Sequence, residues 1–385
     1  MTIAIVTISF PALSETFISN KVIHLAKRGH DVIVFCNSIN NTLFTKIFSG
    51  VSNVKVIAFS RPRILRYITL HPSALLTGKR GTELTGSIIN KVRLYYISKH
   101  KPDVVHIEFS GLGILYLPVL KKLGSIKVVS CRGSAEKVML LTSQERKKNT
   151  TALFDHVNAV HCVSGDMKET ILPYCTDASK IFINFPSVDP EIFKRRLPFK
   201  HRPVNILSIG RFTFQKGYLT GLLAMKKLKE SFTDFKWTII GDGPQKEEII
   251  FHIHNLGLTN HVHLAGAKGR AEILEAYNSA SLFFLPSVYE GIANVVLEAM
   301  SMELPVVATK SGGMSEVIKH GYNGMLADIY DCNAMAVNML VLSNDGEKSL
   351  QMGIAARQRI LQQFTIDKQA DIFEMEYKKL LNTGA

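Results

Sequence analysis

Long apolar runs are missing from this sequence of 385 residues. A helix that crosses a bilayer needs about 18 or more consecutive apolar residues, and no such run occurs. The opening MTIAIVTISF lacks the basic segment and the small-residue cleavage site of a signal peptide, and it predicts a buried strand instead. We therefore expect a cytoplasmic protein that is neither exported nor membrane-spanning.

Cysteine is scarce and irregularly spaced. No Cys-x-x-Cys pair occurs, and no histidine stands at metal-binding spacing from a cysteine. A disulfide framework and a metal site are therefore not expected, and the thiols are predicted to be buried and reduced. The five cysteines are Cys36, Cys131, Cys162, Cys175 and Cys332.

Acidic residues are few in the first half of the chain. Residues 1–200 hold 28 Lys and Arg against 13 Asp and Glu, whereas residues 201–385 hold 18 against 19. Nine of the basic residues lie between Lys55 and Lys99, with Glu83 as the one acid there. Any single lysine here can be a solvated surface residue, but the asymmetry favours an anionic partner. Nucleic acid, an anionic membrane surface and a phosphate-bearing lipid are the candidates.

Short β-branched runs alternate with helical patterns along the chain, which is typical of parallel sheets with crossover helices. The sequence therefore predicts an α/β fold with two doubly wound sheets, whose strand ends would line a cleft. One set of runs lies at 3–8, 31–35, 54–59, 103–109, 126–131 and 157–163, and the other at 204–210, 236–241, 262–266, 282–286, 305–309 and 325–328.

The basic, proline-containing stretch FKRRLPFKHRP separates the two sets of strands. We accordingly predict a first domain over residues 1–195 and a second over 196–363. Apolar residues recur at helical spacing near the end of the chain. They predict a closing amphipathic helix over about 364–385, which we expect to pack back on the first domain.

Two cations and two glycines follow the first strand of the second domain in IGRFTFQKG. Gly210 permits a tight turn, and Arg211 and Lys216 come within one loop. Close backbone N–H groups and two positive charges suit a diphosphate. Surface cations after a strand are common, so this motif alone is weak.

A second strand end carries Asp242 and Gly243 in IIGDGPQKEEI. Asp242 lies at the same predicted edge of the sheet as Arg211 and is a candidate ligand-binding residue. The alternative is that it only caps the turn or the following helix.

A third strand end leads into PSVYEGIANVVLEAM, which keeps two acids in an apolar segment. Eight residues separate Glu290 from Glu298, so a continuous helix would place them on one face about 12 Å apart. Two carboxylates so placed suit a long, hydroxyl-rich ligand with phosphates between its sugars. The alternative for Glu298 is a structural ion pair with Arg211 or Lys216. The first-turn amides expected to face an anion are those of Ile292, Ala293 and Asn294, and Gly291 before them is a further donor-binding candidate.

Together these motifs resemble the retaining nucleotide-sugar glycosyltransferases of family 4, which have the GT-B fold. The resemblance spans about residues 205–328, with the motifs in order and at the usual spacing. The motifs are the Arg211 and Lys216 loop, GDGP, PSVYEGIANVVLEAM and PVVATKSGGMSEVIKHGYNGML.

The resemblance implies a role for each matching residue. Arg211 and Lys216 would bind the donor diphosphate and stabilise the leaving nucleotide. Glu290 and the amides after it would hold the donor sugar, Glu298 the ribose hydroxyls, and the loop around Lys268 would lie by the base. It also implies that no metal or other cofactor is needed, because the two cations can neutralise the departing diphosphate.

The first half is similar to a branch of this family associated with extracellular polysaccharide, O-antigen and capsule assembly, through FPALSETFISNKVIHLAKRGHDVIVF. Where the family has His-Gly, this chain has Arg132 and Gly133, so Arg132 either binds a phosphate or acidic sugar or is a surface turn residue. His106 is either an acceptor contact or a core histidine. Ser14 and Glu15 are candidate acceptor or phosphate contacts, although Ser14 could equally cap the next helix.

The sequence thus predicts a retaining transferase that moves a hexosyl unit from a UDP-sugar, or next from a GDP-sugar, to a glycan hydroxyl. A lipid-linked glycan at the inner face of the cytoplasmic membrane is the expected acceptor, with the basic first domain touching anionic lipid. A GT-B epimerase or phosphorylase is the alternative. A nucleic-acid partner is not expected, because it would leave the second half without a role.

Overall fold

The computed structural model describes residues 1–12, 15–75 and 81–383, and it divides into two compact units. Unit 1 comprises residues 1–163, 167–184 and 366–385, and unit 2 comprises residues 164–166 and 185–365. The chain passes from unit 1 to unit 2 after Asn184, and it returns to unit 1 after Thr365.

Unit 1 is built on a parallel sheet with the strand order β5-β3-β1-β6-β7-β8-β9. Apart from the edge strands β5 and β9, its strands are almost wholly buried on both faces, which is why their sequences are continuous apolar runs. The strands are β1 (Thr2–Val6), β3 (Asp31–Cys36), β5 (Val54–Ala58), β6 (Val104–Ile107), β7 (Ile126–Cys131), β8 (Ala159–Cys162) and β9 (Ile181–Ile183), with a small separate pair β2 (Ser9–Phe10) and β4 (Ser38–Ile39).

The helices of unit 1 connect these strands, and the last helix of the chain contacts α1. They are α1 (Thr16–Lys27), α2 (Asn41–Phe48), α3 (Arg61–Leu70), α4 (Gly81–Lys99), α5 (Ser110–Leu120), α6 (Ser134–Lys137), α7 (Met139–Thr142), α8 (Gln144–His156), α9 (Gly165–Ile171), whose first residues are grouped with unit 2, and α17 (Ile366–Asn382). Short 3-10 turns lie at Pro72–Leu75, Leu172–Tyr174 and Ala178–Lys180.

Unit 2 has a second parallel sheet with the order β12-β11-β10-β13-β14-β15. Its strands are β10 (Val204–Ile209), β11 (Phe235–Ile240), β12 (Val262–Gly266), β13 (Leu282–Leu285), β14 (Val306–Thr309) and β15 (Met325–Ala327). Its helices are α10 (Tyr218–Ser231), α11 (Lys246–Asn255), α12 (Arg270–Ser279), α13 (Asn294–Ser301), α14 (Met314–Val317), α15 (Cys332–Asn344) and α16 (Gly346–Gln363), and a 3-10 turn covers Phe214–Lys216.

In each sheet the strands are first added toward one side and then toward the other, as in doubly wound folds. The reversal falls between β1 and β6 in unit 1 and between β10 and β13 in unit 2. The predicted α/β architecture with two Rossmann-like units is confirmed, and each switch point marks a strand edge where a ligand can bind.

All five cysteines are free thiols, and three of them are buried in unit 1: Cys36, Cys131 and Cys162. Among the described residues, no helix combines the length and apolar character needed to cross a bilayer.

Candidate active site

The predicted site residues of unit 2 come together at the carboxyl edge of its sheet. Strands β10, β11, β13 and β14 all end there, and the loops after them carry the motifs singled out in the sequence. Parallel strands bring their carboxyl ends to one edge, so residues far apart in the chain become neighbours.

Glu290 is the best-anchored side chain at this edge, and it is buried. Lys216 Nζ lies 2.6 Å from Glu290 Oε1, and the buried Ser287 hydroxyl donates to the same oxygen at 2.8 Å. Gln215 Nε2 donates to Glu290 Oε2 at 3.3 Å. These contacts fix the carboxylate and bring Lys216 beside it. Sequence reasoning missed Ser287 and Gln215, although both lie within the recognised motifs.

Arg211 differs from Lys216, because its side chain is exposed and has no ion pair or hydrogen bond within the described part of the chain. It follows Gly210 directly after β10. At this edge an anion would therefore meet two cations: Lys216, which is paired with Glu290, and Arg211, whose side chain has no partner among the described residues.

Backbone N–H groups supply further donors where α13 begins. No described residue accepts a hydrogen bond from the N–H groups of Gly291, Ile292, Ala293 or Asn294. Four unpaired amides, in the loop before α13 and at its first residue, favour a negatively charged or oxygen-rich ligand.

The predicted arrangement of Glu290 and Glu298 on one continuous helix is wrong. Helix α13 begins only at Asn294, with Ala293 as its N-cap, and Glu290 lies in the preceding loop. The Gly291 carbonyl accepts a hydrogen bond from the Gly313 N–H at 2.7 Å, so it is engaged outside the helix.

Glu298 is held by Tyr277, whose hydroxyl lies 2.9 Å from Glu298 Oε2 and donates to it. The alternative ion pair of Glu298 with Arg211 or Lys216 is not formed. Burial raises the pKa of Glu298 to about 7, while the Tyr277 hydrogen bond and the charge of Arg270 oppose this. The carboxyl is therefore poised between its two protonation states near neutral pH.

Asp242 and Lys268 lie at the ends of β11 and β12, and both are engaged locally. Asp242 Oδ1 accepts the Gly243 N–H at 2.9 Å and lies 3.7 Å from Lys246 Nζ. Lys268 Nζ lies 2.8 Å from Glu272 Oε1. Asp242 thus stabilises its own turn, which was the alternative given for it in the sequence analysis.

Gly312 lets the loop after β14 approach Glu290. It has φ +59°, and a Cβ at this position would lie 2.0 Å from the Glu290 carbonyl oxygen. Only glycine fits, because both the left-handed backbone and the contact exclude a side chain.

We expect Gly312→Ala to destabilise unit 2 by more than Gly321→Ala does. Both glycines have positive φ, so alanine costs roughly 1–2 kcal/mol of backbone strain at either position. Gly321 has open space around it, whereas Gly312 adds the clash with Glu290. Urea unfolding followed by the fluorescence of Trp237, the single tryptophan, measures the difference. Equal effects would show that the clash is relieved at no cost.

The corresponding edge of unit 1 holds a buried ionic cluster. Glu108 follows β6 and accepts from Lys21 at 2.8 Å and from Arg132 at 2.7 Å. Burial alone would raise the pKa of Glu108, but Lys21 and Arg132 lower it to about 2. Burial lowers the pKa of Lys21 to about 8, against the opposing attraction of Glu108.

The surface-turn interpretation of Arg132 is wrong, and the phosphate or acidic-sugar interpretation stays a prediction. Its side chain is only 11 % exposed, and Nη2 of its guanidinium lies 2.7 Å from Glu108 Oε2. The guanidinium carbon also lies 4.5 Å from the centre of the Phe17 ring. The backbone N–H groups of Arg132 and Gly133 both donate to the buried Glu136. This Arg-Gly turn is therefore internally satisfied.

His106 is a core histidine, since it is fully buried. Its Nδ1 lies 2.6 Å from the Tyr377 hydroxyl, and its Nε2 lies 2.7 Å from the hydroxyl of Ser130. Burial, with the charges of Lys21 and Arg132, holds its pKa well below the ordinary value. A direct acceptor contact through His106 is thus excluded by its position.

Of the two first-loop candidates, Ser14 lies outside the described residues. Glu15 is partly buried and its Oε2 atom has no hydrogen-bond partner. Burial and the charge of Glu108 raise the pKa of Glu15, with Arg132 opposing. Glu15 is consequently a described candidate in unit 1 with a buried carboxylate oxygen that has no hydrogen-bond partner.

The two Rossmann-like units are those of the GT-B fold, and solved structures share this fold. A glycosyltransferase from Rickettsia africae is 18% identical with a TM-score of 0.78, covering 99% of this chain and 98% of that one. Alr3699/HepE of Anabaena in complex with UDP-glucose is 17% identical with a TM-score of 0.77, covering 98% and 100%.

Family models match nearly the whole chain in two consecutive parts. Residues 14–192 match the model described as Glycosyltransferase Family 4, and residues 189–359 match Glycosyl transferases group 1. The chain therefore belongs to the family 4 glycosyltransferases. Amylovoran biosynthesis glycosyltransferase AmsK of Erwinia amylovora is 28% identical over 393 residues, covering 94% of this chain and 96% of AmsK.

Proposed function

We propose that this glycosyltransferase transfers a hexosyl unit from a UDP-sugar to a hydroxyl of a glycan, with retention at the anomeric carbon. The observation that carries the proposal is the convergence of Arg211, Lys216 and four free backbone amides at the carboxyl edge of the unit 2 sheet. Such a set of donors matches a diphosphate and its sugar. The structure of HepE with UDP-glucose supports UDP as the nucleotide, with GDP next.

Each residue proposed to bind the nucleotide sugar has a separate role. Arg211 and Lys216 bind the diphosphate and stabilise the charge that develops as it leaves. Glu290 and the amides after it hold the sugar, and Glu298 accepts hydrogen bonds from the ribose hydroxyls. Asp242, Gly243 and Lys268 shape the rim around the nucleotide through their turns. The other residues proposed to contact the nucleotide sugar are Gly210, Gly291, Ile292, Ala293 and Asn294.

The chemistry needs no dedicated base. The bond from the anomeric carbon to the diphosphate oxygen breaks, and the acceptor oxygen bonds to the same face of that carbon. The acceptor proton passes to the departing diphosphate oxygen. Positioning and charge stabilisation lower the barrier, and the two cations can neutralise the leaving group without a metal ion.

The acceptor in this proposal is a lipid-linked glycan of a surface polysaccharide, bound by unit 1 with Glu15 among its contacts. The likeness to AmsK, an amylovoran biosynthesis glycosyltransferase, supports a polysaccharide pathway. The excess of basic residues over residues 1–200 supports work at the anionic inner face of the cytoplasmic membrane.

Calorimetric titration of UDP, GDP and ADP into the protein in EDTA tests the donor site. We expect UDP to bind best and Glu298→Gln to weaken it. Preference for GDP would overturn the choice of nucleotide, binding only after Mg²⁺ is added would overturn metal independence, and no binding at all would overturn the donor site.

Binding of UDP should also depend on pH through Glu298. Its pKa of about 7 means that half of the carboxyls are protonated at neutral pH, and ribose hydroxyls need the ionised form as acceptor. UDP affinity should therefore fall as the pH drops below 7, by up to about tenfold per unit. Titrations in buffers of different ionisation enthalpy should detect proton release near pH 6 that Glu298→Gln lacks. If Glu298→Gln releases as many protons on binding UDP as the native chain does, Glu298 does not bind the ribose.

Retention is tested by the slow hydrolysis of UDP-glucose. Proton NMR identifies the glucose anomer formed first, before the anomers equilibrate. The α-anomer is expected, because UDP-glucose is an α-glycoside and the proposed route keeps that configuration. The β-anomer as first product would show inversion.

A further inference from the structure

Helix α3 of unit 1 has one face in the core and another that nothing described covers. Tyr67 is buried, and Ile64 and Ile68 pack against the unit 1 core. On the outer side, Leu65 is 62% exposed and Leu70 is 58% exposed. The turn that follows adds further apolar surface: Leu75, at its end, is 47% exposed.

The same outer face carries free positive charge. Arg61 and Arg66 are exposed, and neither side chain forms an ion pair or hydrogen bond within the described ranges. Arg63 differs, because it donates to the Ala58 carbonyl at 3.1 Å and lies over the Tyr96 ring. Two arginines are thus left available beside exposed leucines, in a helix that contains no acid.

We propose that the outer face of α3 and the turn after it, formed by Arg61, Leu65, Arg66, Leu70 and Leu75, docks on an anionic lipid bilayer. Leucine side chains enter the boundary between the headgroups and the acyl chains, while arginines pair with the phosphate headgroups. Interfacial helices commonly bind a bilayer in this way. The helix has ten residues, which is too short to span a bilayer, so it lies in the plane of the surface.

The mixture of side chains favours lipid over nucleic acid. A nucleic-acid surface would combine the arginines with exposed aromatic residues, whereas the aromatic residue of α3, Tyr67, is buried. Unit 1 has another exposed apolar pair, Met139 and Leu141, which is the competing surface in the test below. Helix α3 is favoured because its exposed leucines stand beside two arginines without partners in the described part of the chain and the helix contains no acid.

This inference deepens the membrane contact within the proposed function, and its test needs neither donor nor acceptor. The protein is sedimented with vesicles of phosphatidylcholine alone or with added phosphatidylglycerol. We expect binding only to the anionic vesicles. Arg61→Gln with Arg66→Gln should weaken it by more than about tenfold, since each cation at such a surface contributes about fivefold. Leu65→Ser with Leu70→Ser should weaken it by on the order of tenfold.

The matched control is Leu223→Ser with Lys226→Gln on α10 of unit 2, where both residues are exposed. It removes a leucine and a charge but should bind vesicles as the native chain does. All variants should keep native UDP binding. The experiment can therefore tell a failure of this membrane proposal from a failure of the proposed donor site.

Three results would overturn the proposal: native-like vesicle binding by both α3 variants, equal binding to neutral vesicles, or loss of binding only in Met139→Ser with Leu141→Ser. A fourth is binding of single-stranded RNA that the α3 arginine variant loses while vesicle binding persists. High salt gives a further check, since the leucine contribution should survive it and the arginine contribution should not.

Discussion

Replacing Lys216 with alanine is expected to lower the rate of UDP-glucose hydrolysis by roughly 10²–10³-fold, the usual cost of losing one strong donor to a developing charge. Lys216 Nζ lies 2.6 Å from Glu290 Oε1, at the edge of the sheet where the diphosphate is proposed to bind. Lys246→Ala is the matched control, because Lys246 is an exposed lysine near the end of β11. Native turnover in Lys216→Ala would exclude Lys216 from leaving-group stabilisation.

The loss of Lys216 has a second effect that the experiment must separate. Glu290 is buried, and without Lys216 its carboxylate keeps only the Ser287 and Gln215 hydrogen bonds. The double variant Lys216→Ala with Glu290→Gln removes that uncompensated charge. Glu290 is itself proposed to hold the donor sugar, so the double variant is compared with Glu290→Gln alone. If the double variant regains stability but is slower than Glu290→Gln, the lysine acts in catalysis; if the two variants have equal rates, the lysine served only to hold Glu290.

Replacing Glu108 with glutamine is expected to cost about 3–5 kcal/mol of the unfolding free energy of unit 1, because two buried cations lose their partner. Lys21 is 2% exposed and Arg132 is also largely buried, so water cannot take over. Glu83→Gln, at an exposed acid of α4, is the control and should change little.

The two units allow this loss to be located. Trp237 lies in the core of unit 2, so its fluorescence reports that unit, while far-ultraviolet circular dichroism reports both. Glu108→Gln should move part of the dichroism transition to lower urea. A native dichroism curve would show that Lys21 and Arg132 find other partners.

The effect of Glu108 should vanish in acid. Its folded pKa of about 2 is below the ordinary 4.5, so its contribution is complete above pH 4.5 and is lost as the pH falls toward 2. The difference between the native chain and Glu108→Gln should shrink over that window. A difference that stays constant from pH 5 to about pH 2 would contradict the ion-pair explanation.

The sequence alone determined the architecture and the edge of the sheet at which the candidate residues of unit 2 lie. Apolar β-branched runs can be buried only in a sheet covered on both faces, and parallel strands send the loops after them to one edge. Arg211, Lys216 and Glu290 therefore had to converge once the strands were recognised. These are short-range signals, since each motif adjoins its own strand.

The tertiary structure decided which side chains pair. His106 meets Tyr377 from the last helix, Glu298 meets Tyr277 rather than a cation, and Arg132 turns inward to Glu108. No local pattern marks these pairs, because each joins segments brought together only by packing. A buried charge must find its partner among whatever neighbours the fold supplies, and that choice is made in three dimensions.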